Sequence, residues 1–481
     1  MTASLRGSGA HSTKTDGGIY DLAVIGAGSA GFAAAIRAAE LGARVVLIGR
    51  GVIGGTCVNI GCVPSKTLIR AVETLYQAGA AGRFSGIRAE ARLEDWLSLV
   101  HQKDELVAGL RQTKYVNLLT HYRTIHYLEG PARLTADGVR VNGNVLTSGK
   151  IVITTGARPA VPMIRGIDDV SYLTSTTALS LEQLPNSLLI VGGGYVGAEL
   201  AQMFARSGVR VTLAFRSRLL PEAEPEISGA LARYLGEEGV ATRGGLSYEC
   251  LRRTDSGIAL DATDRGSPLS LEAEQLLVAT GRQPNIVDLG LDDTGIEVLP
   301  NNGIAVDDQM RTSKVGVYAA GDVTGRDQFV YMAAYGGKLA ADNALSGDAR
   351  RYDASAIPRV VFTDPQVASV GMTECEARAR GIVVKTSILA LDQVSRALAA
   401  RDTRGLIKLV AEAASGRLIG AHILAPEGAD SIQTAVLAIK HRLTVADLAE
   451  ALFPYLTTVE GLKLAAQGFD KDVAKLSCCA G

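Results

Sequence analysis

The sequence predicts an α/β fold, in which parallel strands alternate with helices. Twice in 481 residues an apolar strand is followed at once by a glycine-rich turn, a helix and a second strand. The turns are residues 26–31 (Gly-Ala-Gly-Ser-Ala-Gly) and 192–197 (Gly-Gly-Gly-Tyr-Val-Gly). Such glycines permit a tight turn and bring a pyrophosphate close to the amides of a helix N-terminus. With 54 glycines and only 5% aromatic residues, the composition also favours this class over a β-sandwich. We therefore expect two Rossmann-like dinucleotide-binding domains.

The composition excludes several classes of partner. Lys plus Arg number 49 and Asp plus Glu 50, so a net charge of -1 favours neither nucleic acid nor an anionic membrane. No apolar run reaches the length of a membrane span. Residues 1–18 are rich in Ser, Thr and Gly without the apolar stretch of a secretory signal, and we interpret them as a disordered leader. Six cysteines in so long a chain favour a reducing compartment, the cytoplasm.

The first unit departs from the usual dinucleotide pattern at one position. Its strands are predicted at residues 21–25 and 44–48, around the turn at residues 26–31. The second strand normally ends on an acid that binds the adenosine ribose, but here Gly49 follows, and then Arg50. We therefore expect weaker contacts to the adenosine rather than loss of the dinucleotide.

The second unit has strands at residues 187–191 and 209–214 and ends on Phe215, followed by Arg216 and Arg218. The missing carboxylate removes repulsion against a 2′-phosphate, and guanidinium groups attract it. NADPH is therefore favoured over NADH. The alternative is that the two arginines form a solvated surface pair.

Residues 54–66 (Gly-Gly-Thr-Cys-Val-Asn-Ile-Gly-Cys-Val-Pro-Ser-Lys) place Cys57 and Cys62 between a glycine-rich turn and a predicted helix opened by Pro64. A helix N-terminus and the nearby Lys66 would lower the pKa of the Cys62 thiol, and only the thiolate is a good nucleophile. A disulfide across so short a loop lowers the chain entropy of the unfolded state only slightly and therefore stabilises the fold little. A disulfide that opens and closes reversibly is the better explanation for the pair. The pair is predicted to be a redox centre; two buried structural cysteines are the alternative.

This cysteine segment resembles the active-site segment of the pyridine nucleotide-disulfide oxidoreductases, flavoenzymes that include glutathione reductase and lipoamide dehydrogenase. The resemblance implies a glutathione reductase-like fold, FAD and NADPH as cofactors, and a homodimer with shared active sites. It also implies a division into an FAD-binding domain (19–158 and 283–349), an NADPH-binding domain (159–282) and a C-terminal α+β dimerisation domain (350–481).

The resemblance also assigns roles to residues. Tyr195 would cover the nicotinamide pocket, Glu199 would pair with Lys66 beside the flavin, and Asp322, after residues 316–321, would bind the ribitol chain; ordinary helix or turn positions are the alternative. The FAD site is predicted to comprise Gly26, Gly28, Ser29, Ala30, Gly31, Gly55, Thr56, Lys66, Thr155, Gly156 and Asp322. The NADPH site is predicted to comprise Gly192, Gly194, Tyr195, Val196, Gly197, Arg216, Arg218 and Gly281.

Two features of the C-terminal part bear on the substrate. Disulfide-reducing members of the family use a His and Glu pair, but residues 453–460 carry Tyr455 in the histidine position, with Glu460 downstream. A tyrosine hydroxyl, whose ordinary pKa is about 10, is a poor proton shuttle at neutral pH. The chain then ends with adjacent Cys478 and Cys479, which can present two thiolates to a soft cation; an unused flexible tail is the alternative.

Together these features are similar to the mercury(II)-reducing members of the family, over residues 19–481. The resemblance implies that Cys478 and Cys479 of one subunit collect Hg(II), as a complex with small thiols, and pass it to Cys57 and Cys62 of the other. Cys62 would be the charge-transfer thiolate and Cys57 the exchange thiol. Tyr455 and Tyr115 would line the inner site.

Many such members also carry an N-terminal metal-binding domain with its own cysteine pair. No cysteine precedes Cys57, so we expect that domain to be absent and loading to come from small thiols or another protein. Cys250 and Cys375 are interpreted as packing or surface residues. Two rival functions stay open: a large-type thioredoxin reductase, and a mercury-sequestering flavoprotein without catalysis.

Overall fold

The computed structural model describes residues 19–136 and 138–475. Their strands in chain order are β1 (Tyr20–Ile25), β2 (Val45–Gly49), β3 (Ile125–Glu129), β4 (Ala132–Thr135), β5 (Gly138–Val141), β6 (Asn144–Leu146), β7 (Ser148–Ile153), β8 (Ala157–Pro159), β9 (Leu173–Thr174), β10 (Ser187–Val191), β11 (Arg210–Ala214), β12 (Ala241–Arg243), β13 (Leu246–Thr254), β14 (Gly257–Asp264), β15 (Ser267–Ala273), β16 (Gln275–Val278), β17 (Arg282–Pro284), β18 (Val317–Ala319), β19 (Arg359–Val361), β20 (Gln366–Gly371), β21 (Val384–Ala390), β22 (Leu406–Glu412) and β23 (Leu418–Ala425).

The α-helices of the same residues, in chain order, are α1 (Ser29–Glu40), α2 (Gly55–Ile60), α3 (Cys62–Gly79), α4 (Trp96–Arg111), α5 (Asn117–Leu119), α6 (Ser175–Ala178), α7 (Tyr195–Arg206), α8 (Pro225–Glu237), α9 (Val330–Ser346), α10 (Glu374–Ala379), α11 (Ser395–Ala400), α12 (Gly428–Lys440), α13 (Val445–Glu450) and α14 (Glu460–Gln467). None of these helices is both long enough and apolar enough to cross a membrane.

The described chain divides into two compact units. The first contains the described residues up to Pro64, then Asp104–Arg158 and Arg282–Tyr352. The second contains Ser65–Lys103, Pro159–Gly281 and the described residues from Asp353 onward. The finer division into FAD, NADPH and dimerisation domains stays a prediction.

The first unit is built on a five-stranded parallel sheet in the order β18-β7-β1-β2-β3. Its central strand β1 pairs on both sides, with Val24 opposite Leu47 of β2 and Val152 of β7. Strands buried on both faces form near-continuous apolar runs, which is why the sequence signal for β1 is strong. The next three strands, β4, β5 and β6, form a separate antiparallel sheet in that order.

The second unit contains a parallel sheet in the order β12-β11-β10-β16-β9 and an antiparallel sheet β13-β14-β15. Its C-terminal part forms a five-stranded antiparallel sheet, β19-β20-β23-β22-β21, whose core includes residues of α12 and α14. The predicted α/β class, with two parallel nucleotide-type sheets and a C-terminal α+β region, is confirmed.

Candidate active site

The first glycine-rich turn leaves no room for side chains at two positions. Gly26 has a φ of +119°, and a Cβ built on it would lie 2.2 Å from the carbonyl oxygen of Thr154. A Cβ on Gly31 would lie 1.7 Å from the oxygen of Gly26. The turn leads directly into α1, which begins at Ser29, so it presents the N-terminal amides of that helix.

A second helix N-terminus meets this turn. Gly55 begins α2, and a Cβ on Gly55 would lie 2.6 Å from the Cα of Gly28. The two helix starts, with Ala30 next in α1 and Thr56 next in α2, therefore approach each other through bare backbone. A cradle of amides that any Cβ would fill suits a pyrophosphate, so the residues present fit the FAD that the sequence predicts.

Asp322 lies beside the same turn. Gly321 packs against α1, with a built Cβ only 3.1 Å from the Cβ of Ala30, and Asp322 follows it. The Asp322 carboxylate, 21% exposed, is 3.5 Å from the guanidinium of Arg282. Burial raises the pKa of Asp322, and the positive charge of Arg282 partly opposes that rise.

Thr155 and Gly156 follow β7 and are held by one residue of the returning chain. The hydroxyl of Thr155 donates to the oxygen of Asn285 over 2.7 Å, and the amide of Asn285 donates to the oxygen of Gly156 over 2.9 Å. These contacts fix the end of β7 against the segment after β17.

The two cysteines occupy the starts of consecutive helices. Cys57 lies in the first turn of α2, and Cys62 is the first residue of α3; both are half-buried. Gly61 joins the helices in a sharp bend, and a Cβ on it would lie 3.0 Å from the oxygen of Thr56. The helix after Cys62 begins two residues before the predicted start at Pro64, so Cys62 itself stands at the helix N-terminus.

Tyr115 lies next to the cysteine pair. Its ring packs edge-on against Phe32, with the centroids 4.9 Å apart. Burial raises the pKa of Tyr115, a hydrogen bond with Ser29 lowers it, and the charges of Cys57 and Cys62 raise it further. The structure thus brings Tyr115, Ser29 and both cysteines together within the first unit.

The residues that hold α2 in place are not predicted by any sequence motif. The side-chain amide of Asn59 donates to the oxygens of Ile53 and Gly55, both over 2.9 Å. Arg111 of α4 donates to the amide oxygen of Asn59 over 3.1 Å. Asparagine side chains favour such bonds to nearby backbone, but no pattern in one sequence pointed to Arg111.

Lys66 and Glu199 form an ion pair in the second unit. The Lys66 ammonium donates to the Glu199 carboxylate over 2.7 Å and lies 4.9 Å from the ring centroid of Phe362. Glu199 is only 5% exposed and also accepts from the backbone amide of Phe362 over 2.9 Å. The carboxylate therefore ties α3, α7 and the end of β19 together.

The second glycine-rich turn repeats the geometry of the first. Gly192 has a φ of +123°, its built Cβ would lie 2.2 Å from the oxygen of Ala279, and a Cβ on Gly197 would lie 1.9 Å from the oxygen of Gly192. A Cβ on Gly194 would meet nothing within 4 Å. The space beside Gly194, at the start of α7, fits a second dinucleotide, the predicted NADPH.

Three more residues of the predicted NADPH site are Tyr195, Val196 and Gly281. Tyr195 begins α7, and burial raises its pKa to about 12. Val196 is 37% exposed. Gly281 has a φ of +109°, and its oxygen accepts from the amide of Ala160 over 2.9 Å.

The two arginines after β11 have different surroundings. Arg218 donates to the backbone oxygens of Pro221 and Ala223, both over 2.6 Å, and so holds its own loop. Arg216 is exposed, with its guanidinium 5.4 Å from the ring centroid of Tyr248. Arg216 is the better candidate for a 2′-phosphate, and its role stays a prediction.

Glu460 does not contact Tyr455 in the way that a His and Glu pair would require. Its carboxylate accepts from the backbone amide of Leu456 over 3.1 Å, and Leu456 has a φ of +60°. Tyr455 is 47% exposed. Glu460 therefore holds the bend that presents Tyr455. Cys478 and Cys479 lie outside the described residues, so the tail hypothesis stays a prediction.

Comparisons with known proteins agree with this geometry. Residues 20–337 match the family model "Pyridine nucleotide-disulphide oxidoreductase", and residues 357–466 match its dimerisation domain. The mercuric reductases of Lysinibacillus sphaericus and Streptomyces lividans are each 47% identical to this chain, over 96% of it and over 85% and 98% of their own lengths.

Among solved structures, the Cu(II) complex of the HOCl-induced flavoprotein disulfide reductase RclA from Escherichia coli is similar, with a TM-score of 0.82 and 30% identity. That likeness covers 94% of this chain and 99% of the other. The chain therefore belongs to the pyridine nucleotide-disulphide oxidoreductase family and groups there with the mercuric reductases.

Proposed function

We propose that this protein is an NADPH-dependent FAD enzyme that reduces Hg(II) to Hg(0), acting as a homodimer through its dimerisation domain. The observation that carries the proposal is the pair Cys57 and Cys62 at the starts of α2 and α3, beside Tyr115. Its setting in a chain 47% identical to mercuric reductases supports the same conclusion. Because the reaction needs NADPH and reduced thiols, we place it in the cytoplasm.

The residues of the first unit would hold the flavin. The amides of the turn at Gly28 and of α2 at Gly55 bind its pyrophosphate, and Asp322 accepts hydrogen bonds from its ribitol chain. Bound FAD would supply the two-electron link between NADPH and the metal site. Lys66, oriented by Glu199, is proposed to lie beside the flavin ring.

The second turn would bind NADPH. The amides at the start of α7 receive its pyrophosphate, Arg216 attracts its 2′-phosphate, and Tyr195 covers the nicotinamide pocket until the nucleotide enters. The overall change is that NADPH and Hg(II) become NADP⁺, a proton and Hg(0), so two electrons leave the nicotinamide and two reach the metal.

The cysteines bind and exchange the metal. Thiolates are the preferred ligands of soft cations, so Cys57 and Cys62 hold Hg(II) while it is reduced. Because a thiolate pair binds mercury tightly, transfer needs stepwise exchange from one pair to another. We assign Cys478 and Cys479 of one subunit as the pair that delivers Hg(II) from small thiols, with Tyr455 and Tyr115 lining the route.

The test measures NADPH oxidation by the purified protein with Hg(II) and excess small thiol, together with release of mercury vapour. Cys57→Ser and Cys62→Ser should each abolish mercury-dependent turnover. Cys375→Ser, which changes an exposed cysteine on α10, is the matched control and should retain full activity. Retention of turnover by both active-site variants would refute the assignment.

A second arm tests the tail and the rival activities. A variant with Cys478→Ala and Cys479→Ala should lose activity most strongly when small thiol is limiting, because direct loading then fails. Oxidised glutathione and oxidised thioredoxin should be poor substrates, since Tyr455 replaces the histidine that disulfide reduction uses. Faster reduction of either disulfide than of Hg(II) would favour a disulfide reductase instead.

A further inference from the structure

The end of β2 is closed by a tyrosine where a dinucleotide fold usually has a ribose-binding acid. The position is Gly49, 21 residues after Gly28. A Cβ built on Gly49 would lie 2.5 Å from the hydroxyl oxygen of Tyr127 and 3.0 Å from the Cβ of Ala27. The space of the missing side chain is therefore occupied by the Tyr127 hydroxyl, next to the glycine-rich turn.

Strand register explains how a residue so distant in sequence reaches this place. β3 pairs in parallel with β2, and Tyr127 lies opposite Leu47, two residues before Gly49. Side chains two residues apart share a face of a sheet, so Tyr127 and Gly49 lie on the same face. Leu47, Tyr127 and Ala27 belong to one apolar cluster, which also contains residues of α1. The hydroxyl is thus on the α1 side of the sheet.

The Tyr127 hydroxyl has no hydrogen-bond partner among residues 19–136 and 138–475, although its side chain is half-buried. Burial and the charge of Glu129 raise the pKa of Tyr127, so the hydroxyl keeps its proton at neutral pH. A half-buried donor without a protein partner suits a ligand that provides an acceptor.

We propose that the Tyr127 hydroxyl takes the place of the missing carboxylate and hydrogen-bonds the adenosine ribose of FAD. The inference rests on the proposed function, because it assumes that the first unit binds FAD. A neutral hydroxyl forms a weaker contact than a carboxylate that accepts from both ribose hydroxyls. The chain thus holds its flavin by the pyrophosphate cradle and by a tyrosine, rather than by an acid.

Glu129 is the competing candidate. It lies directly opposite Gly49 in the β2 and β3 register, but its side chain is exposed. The backbone oxygen of Glu129 accepts a hydrogen bond from the side chain of Asn142 over 2.8 Å. That bond fixes the backbone at the end of β3 but does not position the Glu129 carboxylate. The Tyr127 hydroxyl, in contrast, is held at the Gly49 position by its packed ring.

The experiment measures FAD affinity by flavin fluorescence as the apoprotein is reconstituted. Tyr127→Phe keeps the ring and should raise the Kd for FAD about fivefold, the value of one neutral hydrogen bond. The Kd for FMN, which has no adenosine, should not change. Tyr122→Phe, which removes a hydroxyl from a partly buried tyrosine of the same cluster, is the control and should match the wild type.

A swap at the same position provides an independent test. Gly49→Glu alone should weaken FAD binding, because its Cβ meets the tyrosine hydroxyl. Gly49→Glu combined with Tyr127→Ala should recover wild-type affinity or exceed it, because the acid then has room.

Equal FAD affinity of Tyr127→Phe and wild type, or a loss in Glu129→Gln instead, would overturn the assignment while leaving the proposed function intact. A wild-type protein that takes up no FAD would refute both.

Discussion

The two glycine-rich turns are nearly identical in backbone and differ in what lies beside their second glycine and at the end of the strand that follows the helix. Gly26 and Gly192 share φ values of +119° and +123°, and each built Cβ would lie 2.2 Å from a carbonyl of the neighbouring strand end. The first turn, however, meets a second helix start at Gly55, whereas a Cβ on Gly194 would meet nothing within 4 Å.

The ends of the second strands differ as well. At β2 the acid position is Gly49, filled by Tyr127, whereas β11 is followed by a buried Phe215 that packs against Gly193. We infer that the glycines determine the shape of a pyrophosphate cradle, and that neighbouring elements determine which dinucleotide it accepts.

The largest effect should come from alanine at the third glycine of each turn. Gly31→Ala and Gly197→Ala place a methyl carbon 1.7 Å and 1.9 Å from a carbonyl oxygen, which should cost about 3 kcal/mol in the unit concerned. Gly31→Ala should give a protein without FAD. Gly197→Ala should remain yellow but no longer be reduced by NADPH. Absorbance spectra before and after NADPH addition distinguish the two.

Gly229→Ala in α8 is the matched control, since a Cβ there meets nothing within 4 Å. It should change the free energy of unfolding by no more than about 1 kcal/mol, in the stabilising direction. If Gly31→Ala and Gly197→Ala gave the same phenotype, the two turns would not serve different nucleotides.

The helices after the two turns differ at one equivalent position. Two residues beyond the third glycine, α1 has Ala33 and α7 has the buried Glu199, which pairs with Lys66. Glu199→Gln should lower the free energy of unfolding by about 2 kcal/mol, because the variant loses the charged partner of Lys66. The loss is not larger because the Lys66 ammonium is 31% exposed and keeps part of its hydration. Urea denaturation measures this difference.

The exposed pair Arg233 and Glu237 on α8 serves as the comparison for that variant, because both side chains are more than half exposed. Glu237→Gln should cost less than about 0.5 kcal/mol. A loss from Glu199→Gln no larger than this would mean that the buried pair does not hold α3 to α7.

Much of this organisation could be predicted from local sequence. β10 has the predicted limits, Ser187–Val191, because a strand buried on both faces is a continuous apolar run bounded by a turn signal. The six-residue helix α2 was not predicted, since a helix that short leaves little periodicity. The hydrogen bonds from the Asn59 side chain stabilise α2, but a single asparagine produces no periodic pattern in the sequence.

Contacts between distant segments could not be predicted in this way. Tyr127 fills the place beside Gly49 although 78 positions separate them, and no turn or periodic signal links the two. The hydrogen bond from the backbone amide of Phe362 to the Glu199 carboxylate likewise has no signal in the sequence. Such contacts depend on strand order and on packing, which a single sequence does not specify.

A smaller effect should separate the two arginines of the second unit. Arg216→Ala should raise the KM for NADPH about tenfold and leave the KM for NADH unchanged, because one charge-assisted contact to the 2′-phosphate is lost. Arg218→Ala should alter both KM values alike, since Arg218 holds the loop through Pro221 and Ala223. A loss of NADPH preference in Arg218→Ala alone would reverse these roles.

The smallest effect concerns Asp322, the acid beside the first turn. Burying its carboxylate costs folding free energy. Burial raises the pKa of Asp322 despite Arg282, so the folded apoprotein retains this proton above the ordinary aspartate range and the unfolded chain does not. Folded-state stability should therefore fall as pH rises through that window. Asp322→Asn removes this titration, so the apoprotein of the variant should be more stable than that of the wild type at neutral pH. The gain should be less than about 1 kcal/mol, because Arg282 loses its charged partner in the variant.

Urea unfolding of both apoproteins at several pH values tests the sign. The difference between variant and wild type should be smallest at the acid end and grow toward pH 7. A difference that instead grew in favour of wild type would mean that the carboxylate is stabilised by Arg282 more than it is penalised by burial. The first turn would then hold its acid without cost even before FAD binds.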